Sequence, residues 1–149
     1  MTRVVLDCMV FLQAAARSTG PAAACLQAAR DGRVELWISP DVIAEVRDVL
    51  TRPRVLKKFP ALSVEAVDLF LNDLRTFARL RSDVPRAVRP ERAPKDEPYL
   101  NLSIAVGATY LASWDLDLLD LMRDELARQQ FPHLQILDSP ALLRLIPRG

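Results

Sequence analysis

The chain has one histidine and two cysteines in 149 residues, which rules out a disulfide framework and leaves no set of soft ligands for a metal such as zinc. Cys8 and Cys25 could form only one isolated bridge, so two reduced thiols packed as small apolar groups are the expectation. No apolar run approaches the roughly 20 residues that cross a bilayer. The first residues, MTRVVLDC, lack the long apolar region and small-residue cleavage site of a secretory signal, so the expected compartment is the cytoplasm. A net charge of +1 excludes a protein that binds nucleic acid through its overall charge. Internal repeats and low-complexity segments are also absent.

What is present is a globular composition, 50% apolar and 26% charged, at a length suited to one domain spanning residues 1–149 with a single core. The charge is unevenly spread. Residues 47–58 carry Arg47, Arg52, Arg54, Lys57 and Lys58 against Asp48 alone, and residues 75–95 carry six arginines and Lys95 against Asp83 and Glu91. Basic segments balanced by acids elsewhere suit a phosphate-bearing ligand held between basic walls and an acidic centre. Solvated helix and loop faces would give the same pattern.

Short apolar runs with β-branched residues, RVVL (3–6), VELWI (34–38), TYLA (109–112) and LQIL (134–137), read as buried strands, with a weaker one near 79–83. Between them, residues 21–31 form a helix stopped by Gly32, and Ser39-Pro40 opens another. Ser63 caps a long helix to about Ala78, and a helix from near Asp96 ends at Gly107. A short helix follows Ser139-Pro140. The order β-α-β-α-α-(β)-α-β-α-β-α predicts an α/β fold of three layers around a parallel sheet of four to five strands. Residues 82–95, rich in proline and arginine, read as a loop.

In such a sheet, ligands bind outside the carboxyl ends of the strands. Asp7 follows the first strand and Asp115 follows TYLAS, so both belong to that edge, although Asp7 alone could open a turn and Asp115 alone could cap the helix LDLLDLM. In the helix after Ser39-Pro40, Val42, Ile43, Val46, Val49 and Leu50 form one stripe. Asp41 and Asp48 fall opposite it as surface charges, whereas Glu45 borders it and can reach toward the sheet edge. Asp96 starts a helix with Pro98 in its first turn, where it caps the helix or meets a ligand. Asp117 joins Asp115 or favours the helix dipole. Acids gathered at one edge repel unless protons or a cation offset them, and an all-oxygen set favours Mg²⁺ or Mn²⁺.

The stretches LDCM (6–9), SPDVIAEVRDVL (39–50), DEPYLNLSIAVGATYL (96–111) and SWDLDLLDL (113–121) together resemble the PIN domains, most closely the branch of VapC-type ribonuclease toxins. The resemblance implies Asp7, Glu45, Asp96 and Asp115 as the acidic cluster at the catalytic centre. It implies Asp7, Asp96, Asp115 and Asp117 as metal ligands and Ser113 as a supporting hydroxyl. It further implies one or two Mg²⁺ or Mn²⁺ ions, cleavage of RNA to 5′-phosphate and 3′-hydroxyl ends, a cognate antitoxin protein and a homodimer. The chain departs from the pattern at Cys8-Met9, where an asparagine usually supports the aspartate, at Ala93, where relatives often carry an acid, and at Trp114, usually a smaller or polar residue. These departures leave a catalytically weakened or inactive PIN-like module that binds RNA or a protein partner as the alternative. A tryptophan beside a strand end is expected in the core or at a subunit contact, and base stacking is the other reading. A phosphoaspartate phosphatase would want an aspartate at position 9, which is methionine.

Overall fold

The computed structural model describes residues 1–87 and 94–148. Its apolar runs pair into an all-parallel sheet of five strands, β1 (Arg3–Leu6), β2 (Glu35–Ile38), β3 (Arg79–Leu80), β4 (Tyr110–Ala112) and β5 (Gln135–Leu137). Their order is β3-β2-β1-β4-β5. Val4, Val5 and Leu6 are all buried, as a central parallel strand covered on both faces requires. The weak strand expected near 79–83 shrinks to two exposed edge residues, because Asp83 turns the chain with a left-handed φ of +52° and Pro85 has no N–H to donate.

Winding from β1 to β2 to β3 runs one way across the sheet, and winding from β4 to β5 runs the other. Right-handed crossovers then put helices on both faces, which completes the three layers. The reversal falls between β1 and β4. There Leu6 lies opposite Ala112, so the residues that follow, Asp7 and Ser113, leave the sheet side by side.

The helices are α1 (Cys8–Ala16), α2 (Pro21–Arg30), α3 (Pro40–Leu50), α4 (Pro53–Lys58), α5 (Val64–Phe77), α6 (Glu97–Val106), α7 (Leu116–Asp120), α8 (Glu125–Gln130) and α9 (Ser139–Leu145). The sequence does not announce α1, α4 and α8. The first of these opens on five apolar residues, Cys8 to Leu12, of which all but Met9 are buried; such a start has no one-sided stripe and reads as a continuing strand. The other two have only six residues each. Ser39 and Ser63 cap α3 and α5 as expected, accepting from the amides of Val42 and Ala66. At α9 the cap is Asp138, which accepts from Ala141 N at 2.9 Å, and Ser139 is already helical. Of the segment read as a loop, residues 88–93 lie outside the described residues, Ala93 among them, and Pro94–Asp96 form a 3₁₀ turn into α6. Cys8 and Cys25 are buried and unpaired.

Helix α6 is held at its far end by two devices. Gly107 takes φ +63°, and the amide of Ala108 reaches Ser103 O at 2.9 Å, closing the last turn as left-handed glycine caps do. Arg3 of β1 donates to Val106 O at 2.7 Å, tying that end to the central strand. Since a Cβ at Gly107 meets nothing closer than 4.0 Å, the cost of Gly107→Ala is conformational, about 1–2 kcal/mol. The expected fall in melting temperature is about 2–4 °C per kcal/mol, with Asn at the same position losing less; calorimetry of the three proteins checks it.

Candidate functional site

Asp7 is the first residue beyond β1 and the N-cap of α1. Its Oδ1 accepts from Val10 N at 3.0 Å, and its Oδ2 takes the hydroxyl of Ser113 at 2.5 Å. Ser113 is fully buried, and its Oγ accepts the amide of Asp115 at 2.9 Å. Asp115 in turn caps α7, with Oδ1 accepting from Asp117 N at 2.8 Å and Leu118 N at 3.3 Å. Asp7 and Asp115 therefore do cap helices, and the same bonds aim them at one edge. The positive ends of α1 and α7 point there too and favour negative charge.

Two more acids arrive from helices. Asp96, at the end of the 3₁₀ turn, is buried, and its Oδ2 has no hydrogen-bond partner. Burial first, then the charges of Asp115 and Asp7, push its carboxyl up to about 7. Glu45 is half-buried at the border of the α3 stripe, while Asp41 and Asp48 are exposed, as the periodicity predicts. Burial raises the Glu45 carboxyl, against the contact with Tyr99 and the charge of Arg52. The Asp7 carboxyl is also raised: desolvation outweighs the bonds from Ser113, Val10 and Trp114. The charges of Asp115, Asp7 and Glu45 thus all act on Asp96, as negative groups crowded into a poorly hydrated place do. Asp117 is exposed in the first turn of α7 and is not among the larger charges acting on Asp7, Glu45 or Asp96.

Tyr99 escapes the sequence reading because it looks like one more core residue of α6. Its ring is fully buried, and its hydroxyl lies against Cys8 and Glu45 without a well-formed hydrogen bond to either. The one signal was spacing: Tyr99 stands three residues after Asp96, on the same helix face. Burial, then Glu45, push the neighbouring Cys8 thiol up to about 12, so this cysteine is an inert apolar group. Met9 is exposed, and the side-chain hydroxyl that supports Asp7 is that of Ser113.

Trp114, expected in the core or at a subunit contact, is not in the core. It is 40% exposed, and its Nε1 donates to Gln13 Oε1 at 2.9 Å. The basic segments divide. Arg47 and Arg52 are spent on Asp68 and Asp48, whereas Arg86 and Lys95 line a cleft of about 400 Å³ with Asp41, Glu45, Glu97 and Asn101. Arg86 pairs there with Glu97.

The donors available to an ion are oxygens, and the partnerless Asp96 Oδ2 beside other carboxylates is the atom a cation would satisfy. The set therefore fits a hard divalent ion. Among the described residues no three acids, cysteines or histidines lie close enough to hold one as they stand. Among the described residues no helix is long and apolar enough to cross a membrane.

A family profile described as a PIN domain matches residues 3–117. This covers more than half of the chain and includes Asp7, Glu45, Asp96, Asp115 and Asp117. No curated protein and no solved structure matches at a significant level.

The raised Asp96 carboxyl has a thermodynamic consequence. Its pKa is higher folded than unfolded, so its contribution to stability is complete below the unfolded value near 3.8 and is lost as pH rises through about 7. Melting temperatures without divalent ion should therefore fall more steeply between pH 4 and 8 in the wild type than in Asp96→Asn. The variant should be the more stable protein at pH 8, by about 2–4 °C for each kcal/mol of repulsion removed, and Mg²⁺ should narrow the gap.

Proposed function

The chain belongs to the PIN-domain family, whose members are generally nucleases that use divalent metals, and from that premise we propose that it is a metal-dependent endoribonuclease, the toxin of a toxin–antitoxin pair. The observation that carries this reading is the buried, partnerless Oδ2 of Asp96 amid Asp7, Glu45 and Asp115. Carboxylates are forced together there at the topological switch of a parallel sheet, where ligands bind.

In this reading Asp7, Asp96 and Asp115 hold Mg²⁺ or Mn²⁺, with Asp117 as an outer acid. An ion of this class, when bound, lowers the pKa of water and offsets charge on phosphate oxygens. The remaining chemistry falls to the chain. Ser113 holds the Asp7 carboxylate in one orientation, and its link to the Asp115 amide fixes the spacing of the two strand ends. Glu45, whose proton affinity is raised, takes the proton released by the attacking water. Lys95 draws the RNA backbone along the cleft beside Glu45, and Arg86 joins it by exchanging its partner Glu97 for a phosphate. The products carry 5′-phosphate and 3′-hydroxyl ends. An antitoxin would answer the negative cluster with a cation, an arginine being suited to bidentate contact with carboxylates, and a homodimer and a cytoplasmic setting complete the reading.

A second reading, a PIN-like module that binds RNA or protein without cutting, draws on the exposed Met9 and on the absence of a ready-made ion cage among the described residues.

Mn²⁺-dependent cleavage of single-stranded RNA should fall more than about 100-fold in Asp7→Asn and in Asp96→Asn, beyond the roughly 10- to 100-fold loss in metal affinity expected of Ser113→Ala. A cleavage assay with Mn²⁺ titration calorimetry measures both. Cleavage that survives both aspartate changes excludes this centre, and failure to bind millimolar Mn²⁺ leaves the non-cutting module.

A further inference from the structure

A groove of about 580 Å³ adjoins the carboxylates, with Met9, Leu12, Arg17, Lys58, Phe59 and Trp114 among its lining. Met9 lies two residues past Asp7, and Trp114 immediately precedes Asp115, so the groove begins where the acidic edge ends. Met9 and Trp114 are 45% and 40% exposed: two large apolar side chains meet water beside the most polar part of the protein.

Trp114 is held in place. Its Nε1 is satisfied by Gln13, and its chain neighbours are fixed, Ser113 by its bond to Asp7 and Asp115 by capping α7. The rest of the indole has only its apolar π surface to offer, and presenting it costs little conformational entropy on binding. The charges around it are of one sign. Arg17 follows the last turn of α1, Lys58 sits 5.6 Å from the centroid of the Phe59 ring, and no acidic residue lines the groove among the described residues.

A π surface flanked by cations and opening beside a carboxylate cluster matches a ligand that is flat at one end and anionic at the other. An apolar protein segment would leave Arg17 and Lys58 without partners, and a cationic one would be repelled. We propose that this groove is a nucleotide subsite: Trp114 and Met9 receive an unpaired base next to the scissile phosphodiester of single-stranded RNA, and Arg17 and Lys58 meet the adjoining phosphate. The proposal rests on the ribonuclease reading and adds to it a requirement for an unstacked base. It gives tolerance of base identity, because stacking needs only a π face, and it rejects duplex RNA, whose bases are stacked inside.

The test uses the full chain with Trp37→Phe, which leaves Trp114 as its sole indole, and Asp96→Asn, so that the probe is not consumed. Three probes are titrated in Mg²⁺: a single-stranded RNA pentamer, the same ribose-phosphate backbone without bases, and an RNA duplex. Binding is followed by anisotropy of labelled probe and, separately, indole quenching by unlabelled probe. The pentamer should bind and quench, while the baseless backbone and the duplex bind more weakly and leave the indole unchanged. Trp114→Ala should weaken pentamer binding on the order of 5- to 100-fold, and Trp114→Phe should keep most of the affinity. In the chain with Asp96 intact, Trp114→Ala should raise KM far more than it lowers kcat. Pentamer binding without quenching, equal in Trp114→Ala, overturns the subsite and leaves the ribonuclease reading standing. Failure of every RNA to bind overturns both. A concentration-dependent blue shift of the indole that RNA does not reverse means that a second copy, or a protein partner like it, covers the groove, and also overturns the proposal.

Discussion

The bond between Ser113 and Asp7 joins residues 106 positions apart, and much of the site depends on it. The Asp7 carboxylate ends β1, starts α1 and receives that hydroxyl, while the Ser113 oxygen accepts the Asp115 amide. Three polar groups are thereby satisfied in a place almost without water, which is the condition for keeping them there. Losing the hydroxyl would leave a buried carboxylate oxygen without its donor, and breaking such a pairing costs more than the pairing contributes. The sheet makes the bond possible, since Leu6 and Ala112 stand opposite each other and a slip of one residue would turn Asp7 and Ser113 to opposite faces.

Negative charge is concentrated at this edge and positive charge is distributed around it. Surface pairs such as Arg47 with Asp68 and Arg30 with Asp73 are exposed and worth little to stability, about 0–1 kcal/mol each. Neither Arg47 nor Arg30 is among the larger charges acting on Asp7, Glu45 or Asp96. Arg52 comes nearest: it is paired with Asp48 on the surface and influences Glu45 only as a secondary charge. The crowded carboxylates are left to one another, and the fold retains the cost of that arrangement in the raised proton affinity of Asp96.

The sheet was legible because its strands are short apolar runs between turn residues, and Asp7 and Asp115 were legible because parallel sheets put ligand-binding groups after strand ends. Glu45 could be separated from Asp41 and Asp48 by helical periodicity alone. What escaped has a common cause. The stretch CMVFLQAAA is apolar on every side at its start, so its helix left no stripe, and Tyr99 looked like core because it is core, with only its hydroxyl reaching the site. Of the two places expected for Trp114, the core and a subunit contact, the structure excludes the first: the ring is part-exposed, with its N–H held by Gln13 on the exposed face of α1. Contacts between such distant residues are set by the register of the sheet, which local sequence does not spell out.

The separation between Asp7 and its partner also has a meaning in time. A chain growing from its N-terminus makes Asp7, Cys8 and the whole of α3 long before β4 exists, and these segments fold or wait without Ser113 or Asp115. Contacts that close such long loops are paid for in chain entropy and form late. The carboxylates cannot be gathered until residue 115 has been made and β4 has docked beside β1, so a nascent chain that already holds β1, α1 and α3 still carries no assembled acidic edge.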